Sequence, residues 1–502
     1  MAFPQLPLGG LRRLGGGRLM DAAVPLGFGL ALLFLVPWRT AYRLGMDEGF
    51  ELMKALLVSQ GHRLYGAFWN DQPPLHTELL ALLFRLFGPS AGVGRVLSVG
   101  CAAGLVAALY HLARRGSNRL AGVLAVALLA SASEVLKLSV SAMLELPAFA
   151  LGLVAVWAWY QWADGRGRGW LVASGLLMGC ALQVKFTAGL LLPAWAVAWW
   201  IRLRSDRFER SDQTLKAAGR QPTWRGVWLW PGCAAGAFGL VVALWYGPGA
   251  WGMMAASHFS AATRASATAG GPSFRLDAMQ DDAGLVFLAL VGLVLQLFLR
   301  RRELWFPVVW LGTALLVHWQ HRPYWPYYHL HFAIPLAWLG GAGLIEGFRC
   351  IWRRFPPAGR RGWWRPGAAW VGWSVAFAIG LSLALEKAVW ELEQLRTARP
   401  AIEDARVQML QVHGAGVRWV FTDDMRAAFW AGLPIPPELA VIPWKRLWSG
   451  QLTPEQVRAA LERHRPELIL LSESRRRQYG LVDYLADHYG PVAEAPDLYR
   501  RK

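Results

Sequence analysis

Long apolar stretches alternate with short polar segments along most of the chain. A helix that crosses the roughly 30 Å hydrocarbon core of a membrane needs about 17 to 25 mainly apolar residues. The pattern predicts eleven such helices, most of them close to that length, over residues 22–38, 91–113, 120–136, 146–163, 170–186, 188–201, 226–247, 284–299, 304–320, 329–348 and 367–386. Residues 1–389 are therefore predicted to be an all-α polytopic membrane domain with about eleven transmembrane helices.

The longest predicted external loop before residue 390 covers residues 39–90. In its stretch EGFELMKALLVSQG, apolar residues recur at helical spacing with charges between them. This pattern predicts an amphipathic helix lying at the membrane interface. A second amphipathic helix is predicted over about residues 75–87, because Pro73 and Pro74 suit a turn and the first turn of a helix. The loop should thus place two interfacial helices on the outer face.

From about residue 390 the pattern changes to that of a soluble domain. The stretches GVRWVFTDD and PELILLSES are typical of short strands, and TPEQVRAALERHR is typical of a helix with a Thr cap. SRRRQYGLVDYLADHYG predicts another helix before a final extended segment. The Asp423–Asp424 pair is typical of a helix N-terminus. Residues 390–502 are therefore predicted to form a small extracytoplasmic α/β domain.

The composition agrees with a membrane protein, since 55% of the residues are hydrophobic, only 17% are charged and 29 are Trp. The net charge of +19 could indicate nucleic-acid binding, but the basic residues are unevenly placed. If the N-terminus is cytoplasmic, the inner loops hold 24 Lys and Arg and the outer loops hold 9. Basic residues stay on the cytoplasmic side of spans. The charge therefore predicts a multi-pass plasma (inner) membrane protein that contacts membrane lipids, with a cytoplasmic N-terminus and no nucleic-acid partner.

Ionisable side chains collect at the predicted outer ends of the spans. Burying a charged group there is costly, so each of these residues is a candidate for a functional role. The main candidates are Asp47 and Glu48 after the first span, Glu145 at the start of the fourth, Lys185 at the end of the fifth, and His321 and Arg322 before the tenth. The same set includes His258 and Arg264 in loop 248–283, and His318, Tyr324, Tyr327 and Tyr328 beside His321. A carboxylate can take a proton from an attacking hydroxyl, while Lys and Arg stabilise the charge of a departing phosphate. The set therefore suits group transfer from an anionic lipid.

Each candidate also has a structural explanation. Asp47 or Glu48 could cap the helix that follows, and Glu145 could hold a neighbouring helix. Lys185 could anchor its span at the interface, and the Tyr and His residues of 318–331 are typical of an aromatic girdle. These alternatives remain open from the residues alone.

The order of the segments resembles GT-C type glycosyltransferases of the dolichyl-phosphate-mannose protein mannosyltransferase and aminoarabinose transferase superfamily. After the first span, MDEGFELMKALLVSQGHRLYGAFWNDQPPLHTELLALLFRLFG and SAGVGRVLS are similar to that superfamily's first external loop. The likeness continues through SAMLELPAF, GLLMGCALQVKFTAGLLLP and the late His/Tyr loop. It implies transfer of a hexosyl or pentosyl group from a polyprenyl-phosphate donor to a lipid, glycan or protein acceptor, with inversion, on the outer face.

The resemblance also implies roles for single residues. Asp47 matches the acidic residue proposed as the general base, and Glu48 matches its usual acidic neighbour. Glu145 falls where an acidic residue often begins the fourth span. Lys185 falls where a Lys commonly ends the fifth span, and it is a candidate for contact with the carrier phosphate.

One position departs from the superfamily pattern. The frequent Lys or His before the Pro pair is Gln72 in this chain. The cationic contact to the donor phosphate is therefore expected to be lost or to move to Arg63, His76 or Arg322, with His321 as a further donor-phosphate candidate beside Arg322.

Two other classes of protein use similar features. A transporter or flippase of lipid-linked substrates would use the same charges for passage, but inverted repeats are not visible in this sequence. A non-enzymatic membrane assembly protein would need only the aromatic girdle and the soluble domain, and it would tolerate loss of Asp47. The four Cys share no metal-ligand spacing, so no metal ligand is assigned and a divalent metal cofactor is left open.

The predicted orientation can be tested by labelling. After the four native Cys are replaced, Ser449→Cys reports on the C-terminal domain alone. A membrane-impermeant thiol reagent should label this variant in intact cells, because the basic asymmetry places the domain outside. Labelling that appears only after the membrane is opened would show that the topology is the inverse of the predicted one.

Overall fold

The computed structural model describes residues 16–209, 224–245, 248–274, 276–299, 304–354 and 364–502. The first part of the chain forms helices α1 Gly16–Leu35, α2 Glu48–Ser59, α3 Leu75–Phe87, α4 Ala91–Gly116, α5 Arg119–Ser131, α6 Val135–Ser139, α7 Glu145–Ala163, α8 Arg168–Val184 and α9 Leu192–Glu209. The membrane domain continues with α10 Trp224–Trp245, α11 Pro248–Phe259, α12 Ala261–Gly270, α13 Ala283–Leu299, α14 Trp305–Gln320, α15 Leu330–Arg354 and α16 Trp364–Arg396.

Each predicted apolar window overlaps one of these helices, so the helical character of the membrane domain is confirmed. Four helical segments of the described residues are long and apolar enough to cross a membrane: Ala91–Gly116, Glu145–Ala163, Phe186–Arg204 and Pro326–Arg349. The exact number of eleven crossings stays a prediction. Helix α16 runs to Arg396, beyond the predicted end of the last span.

The described parts of several predicted inner loops meet at one end of the bundle. Asp21 pairs with Arg114 and Arg119, and Arg115 pairs with Asp164. Other predicted basic loops fall partly or wholly outside the described residues, at 1–15, 210–223, 300–303 and 355–363. These ion pairs agree with the predicted assignment of successive loops to alternate sides of the membrane, because each pair joins two segments assigned to the same side.

The two predicted helices of the first external loop are present as α2 and α3, but α2 does not lie with its polar face in water. Glu51 and Lys54, on that face, are buried. Lys54 Nζ donates to Glu51 Oε1 at 2.7 Å and to Asn70 Oδ1 at 3.0 Å. Because these charges are paired and hydrogen-bonded, they can be buried where the amphipathic pattern predicted exposure.

The predicted C-terminal strands and the Thr-capped helix are confirmed. The strands are β1 Val420–Thr422, β2 Leu468–Leu470, β3 Tyr489–Val492 and β4 Ala495–Arg501. They form a sheet in the order β1-β2-β4-β3, in which β1 and β2 are parallel and the other pairs are antiparallel. The final extended segment is thus the β3–β4 hairpin rather than a single strand.

The helices of this domain are α17 Ala405–His413, α18 Met425–Trp430, α19 Trp444–Trp448, α20 Pro454–His464, α21 Glu473–Gln478 and α22 Val482–His488. Asp424 caps α18 by accepting from Ala427 N, as the Asp pair predicted. The predicted single helix after β2 is divided into α21 and α22. Gly480 lies between them with φ of 62°, a left-handed conformation that ends α21.

The C-terminal domain packs directly on α2. One hydrophobic cluster contains Leu52 and Phe84 of the first loop together with Phe429 of α18, and the Phe84 and Phe429 rings stack with centroids 5.8 Å apart. At Gly49, an added Cβ would lie 2.8 Å from the backbone nitrogen of Arg426. The two backbones approach so closely that only glycine fits, so α2 lies between the bundle and the C-terminal domain.

A buried ion pair fixes the start of α2. Glu48 accepts two hydrogen bonds from the Arg95 guanidinium of α4, at 2.7 and 2.6 Å, and one from Ala142 N at 2.9 Å. Arg95 also donates to the carbonyls of Trp38 and Ala41. The pair therefore ties the end of the first apolar segment and the start of α2 to α4.

Breaking this pair should destabilise the protein strongly. Glu48→Gln keeps the side-chain shape but leaves the Arg95 charge buried without its counter-ion, which costs roughly 3 to 5 kcal/mol. The loss should appear as a lower melting temperature of the purified protein in detergent, followed by Trp fluorescence. Arg63→Gln is the control, since Arg63 is exposed. Equal melting of Glu48→Gln and wild type would show that the pair does not hold α2.

Candidate functional site

Three predicted site residues that are distant in the sequence come together beneath the C-terminal domain. Asp47 precedes α2, Glu145 begins α7 and Lys185 follows α8. The Lys185 ammonium forms an ion pair with the Glu145 carboxylate. The charge of Lys185 also acts on Asp47. The structure thus joins the predicted base and the predicted phosphate ligand in one cluster.

Lys185 is held in place on several sides. Helix α8 ends at Val184 because the backbone of Lys185 is extended, with φ of −157° and ψ of 136°. Nζ lies 4.7 Å from the centroid of the Tyr327 ring and 5.5 Å from that of Tyr328. An ammonium group has three N–H donors, so the pair with Glu145 leaves donors for a bound anion. These contacts go beyond those of a residue that only anchors its span at the interface.

Asp47 does not act as a helix cap. It occupies the N-cap position of α2, but its side chain makes no capping hydrogen bond. The Tyr327 hydroxyl acts on its carboxylate instead. Burial raises the pKa of Asp47, and the opposing effects of Lys185 and Tyr327 do not cancel that rise. A half-buried carboxylate with a raised pKa is suited to accept a proton.

Glu48 and Glu145 have different surroundings from Asp47. Glu48 is buried against Arg95, so its oxygens are already occupied. Glu145 is also fully buried, in its ion pair with Lys185. The roles of both residues in catalysis stay predictions, but neither carboxylate is exposed to an incoming acceptor.

A second group of charges was predicted only in part, since His258 was a candidate but Asp71 and Lys445 were not. Asp71 Oδ2 lies 3.5 Å from Lys445 Nζ and 3.7 Å from His258 Nε2. His258 Nε2 also makes a 2.9 Å hydrogen-bond contact with the Asp71 carbonyl oxygen. Burial raises the pKa of Asp71, but the charges of Lys445 and His258 outweigh burial and lower it to about 2. Asp71 is therefore held as a carboxylate.

Only part of this group could have been found from the sequence. Asp71 stands in the polar run NDQPP beside Gln72, the position already identified as unusual. Lys445 lies in the C-terminal domain, and no motif connects it with the first loop. Tyr327 belongs to a segment that is a candidate and is also typical of an aromatic girdle, and its hydroxyl acts on Asp47.

The remaining donor-phosphate candidates lie at varied distances from the cluster. His321 is exposed at the end of α14, and the charges of Lys445, His258 and Lys185 act on its ring. Arg322 is exposed and donates to the Thr268 carbonyl at 3.2 Å. Arg63 is exposed after α2, and in the described part of the chain no ion pair joins it to the cluster. His321 is thus the best placed of the three.

Two further expectations concern His76 and a metal ion. His76 is buried, with Nδ1 3.5 Å from Glu51 Oε2, and its contact with a donor phosphate stays a prediction. Within the described ranges, no group of three or more His, Cys, Asp or Glu side chains is arranged to hold a metal ion. The described residues therefore do not fit a complete metal site.

Part of the chain matches one family of known proteins. The model of the family described as dolichyl-phosphate-mannose-protein mannosyltransferase matches residues 71–215. No curated protein sequence matches the chain significantly. The matched range contains Asp71, Glu145 and Lys185.

Solved structures show the same fold over nearly the whole chain. ArnT from Cupriavidus metallidurans bound to undecaprenyl phosphate has a TM-score of 0.60 at 15% identity, over 95% of this chain and 96% of that chain. The oligosaccharyltransferase AglB from Archaeoglobus fulgidus, in complex with an inhibitory peptide and a dolichol-phosphate, has a TM-score of 0.52 at 12% identity, over 97% of this chain and 74% of that chain. The predicted resemblance to the GT-C glycosyltransferases is thereby confirmed.

Proposed function

We propose that this chain, which has the fold of the GT-C membrane glycosyltransferases, transfers a sugar from a polyprenyl-phosphate carrier to an acceptor on the outer face of the membrane. The single observation that carries the proposal is the geometry around Asp47. The Tyr327 hydroxyl and the Lys185 ammonium both act on this half-buried carboxylate, and Lys185 is paired with Glu145. A base and a cation that can hold a phosphate therefore lie in one site, as the reaction requires.

Asp47 acts as the general base in this proposal. It accepts the proton of the acceptor hydroxyl as the acceptor oxygen attacks the anomeric carbon. The bond between that carbon and the phosphate oxygen breaks on the opposite side, so the configuration inverts. The bonding electrons leave with the phosphate, and Asp47 ends protonated. A sugar phosphate is an activated donor, so the main tasks of the protein are alignment and proton removal.

Lys185 holds the carrier phosphate and stabilises the charge that it gains as it leaves. Glu145 acts as a positioning residue, since its carboxylate is buried and paired with the ammonium. The rings of Tyr327 and Tyr328 limit the positions that the ammonium can adopt. The Lys185 donors that Glu145 does not use are available to the phosphate.

The orientation proposed for the protein follows from its charges. The excess of Lys and Arg in one set of loops favours a cytoplasmic N-terminus. Asp47, Lys185 and the domain of residues 390–502 then lie on the outer side of the plasma (inner) membrane. An acceptor lipid, glycan or protein would reach Asp47 from that side.

Replacing Asp47 tests the proposed base. Asp47→Asn keeps the size of the side chain but cannot accept the proton, so turnover should fall on the order of 100-fold or more. The rate should be measured in proteoliposomes with a confirmed polyprenyl-phosphate sugar donor. Expression and melting temperature should change little. The wild-type rate should also fall as the pH drops through the raised pKa of Asp47, because protonation removes the base.

Glu145→Gln and Glu48→Gln are the matched carboxylate controls, and both should reduce turnover less than Asp47→Asn in protein that remains folded. Near wild-type transfer by Asp47→Asn together with complete loss in Glu145→Gln would assign the base to Glu145. Full activity of both variants would contradict a carboxylate mechanism.

Replacing Lys185 tests the phosphate ligand. Lys185→Ala should weaken the apparent donor affinity by roughly 1.5 to 3 kcal/mol, the range for a hydrogen bond to a charged group. The measurement is KM for the lipid donor in the same assay. The double variant Lys185→Ala, Glu145→Gln should show the same weakening without leaving a buried carboxylate unpaired. Lys137→Ala is the control, since Lys137 pairs with Glu134 away from the cluster.

An unchanged donor KM in both Lys185 variants would return Lys185 to the role of an interface anchor. His321 would then be the next residue to test, because the charges of Lys185, His258 and Lys445 all act on its ring.

A further inference from the structure

The segment 444–451 of the C-terminal domain contacts the loops around the candidate site. The Trp69 indole N–H donates to the Gln451 side chain, and Gln451 Oε1 lies 3.4 Å from Ser257 Oγ. Helix α19, which contains Lys445, packs against α12. The segment therefore places a lysine of the soluble domain beside the membrane domain.

The ammonium of Lys445 is only loosely bound. Its 3.5 Å separation from Asp71 Oδ2 is longer than a normal hydrogen bond. Within the described residues, Nζ donates no hydrogen bond, although only 17% of the side chain is exposed. An ammonium has three donors, so Lys445 retains unused donors in a largely enclosed position.

The charge of Lys445 reaches the residues that surround the proposed donor site. It acts on Lys185, on His258 and on His321. Gln72, next to Asp71, is neutral, and its amide nitrogen donates to Asp71 Oδ2 at 2.9 Å. The first loop thus provides a carboxylate and an amide at this point, while the positive charge comes from the C-terminal domain.

We propose that Lys445 binds the phosphate of the lipid carrier together with Lys185, so that the C-terminal domain completes the donor site. This inference rests on the proposed function. The phosphodiester of the bound donor bears one negative charge, whereas the phosphomonoester that leaves when the sugar is transferred bears close to two, more than a single ammonium balances. A second ammonium would stabilise that charge. Asp71 keeps Lys445 in position while the site holds no phosphate.

The test is binding of undecaprenyl phosphate to the purified full-length protein in phosphatidylcholine nanodiscs. Lys445→Ala should weaken the affinity by roughly 10-fold to 150-fold, as expected for loss of a hydrogen bond to a charged group. Lys445→Arg should restore most of the affinity. Lys502→Ala is the matched control, since it removes the same charge from an exposed position in the same domain. Its affinity should equal that of wild type.

Asp71→Asn separates binding of the phosphate from simple docking of the domain. If Lys445 binds the phosphate, this variant should bind the carrier as tightly as wild type or more tightly, because a competing negative charge is removed. If Lys445 serves only to pair with Asp71, Lys445→Ala and Asp71→Asn should weaken binding equally. That result would overturn the inference.

Two other outcomes have distinct meanings. Unchanged binding in Lys445→Ala, with loss of binding in Lys185→Ala, would reject the role of Lys445 and leave the proposed function standing. Absence of binding by the wild-type protein to undecaprenyl phosphate and to a dolichyl phosphate would contradict the proposed function, and the role of Lys445 would be rejected with it.

Discussion

The buried pair between Arg95 and Glu48 is the interaction on which the geometry of the site depends. Arg95 holds the carboxylate of Glu48 and two carbonyls of the preceding segment, so the start of α2 has one position relative to α4. Asp47 is the residue just before this fixed point. Since Glu48 is directed towards Arg95, the neighbouring side chain of Asp47 is free to meet Tyr327. The acidic pair thus divides into one structural and one proposed catalytic carboxylate.

The C-terminal domain is the second constraint, because it covers α2. The shared hydrophobic cluster and the contact at Gly49 make the first loop a layer between two packed bodies. The charges of α2 are consequently removed from water and satisfied by one another, as Lys54 and Glu51 show. The domain also brings Lys445 to Asp71. Its position therefore affects both the stability of the loop and the electrostatics of the site.

Pairing of opposite charges explains how so many ionisable groups can lie together. Lys185 is paired with Glu145, and Lys445 lies beside Asp71. Asp47 differs from Asp71 because burial outweighs the opposing effects of Lys185 and the Tyr327 hydroxyl. Burial can then raise its pKa, whereas the positive charges around Asp71 lower the pKa of that residue. The surroundings thus favour proton acceptance at Asp47 and a constant negative charge at Asp71.

The sequence by itself determined the helical membrane domain, the first-loop helices and the short strands β1 and β2, because hydrophobic periodicity and capping residues are local signals. It also singled out Asp47, Glu145 and Lys185, since charges at the ends of apolar segments are conspicuous. Only the tertiary structure decided that Glu48 pairs with Arg95, that α2 is covered, and that Lys445 lies beside Asp71. Those outcomes depend on which surfaces meet after folding, and contacts between distant segments leave no periodic pattern in the sequence.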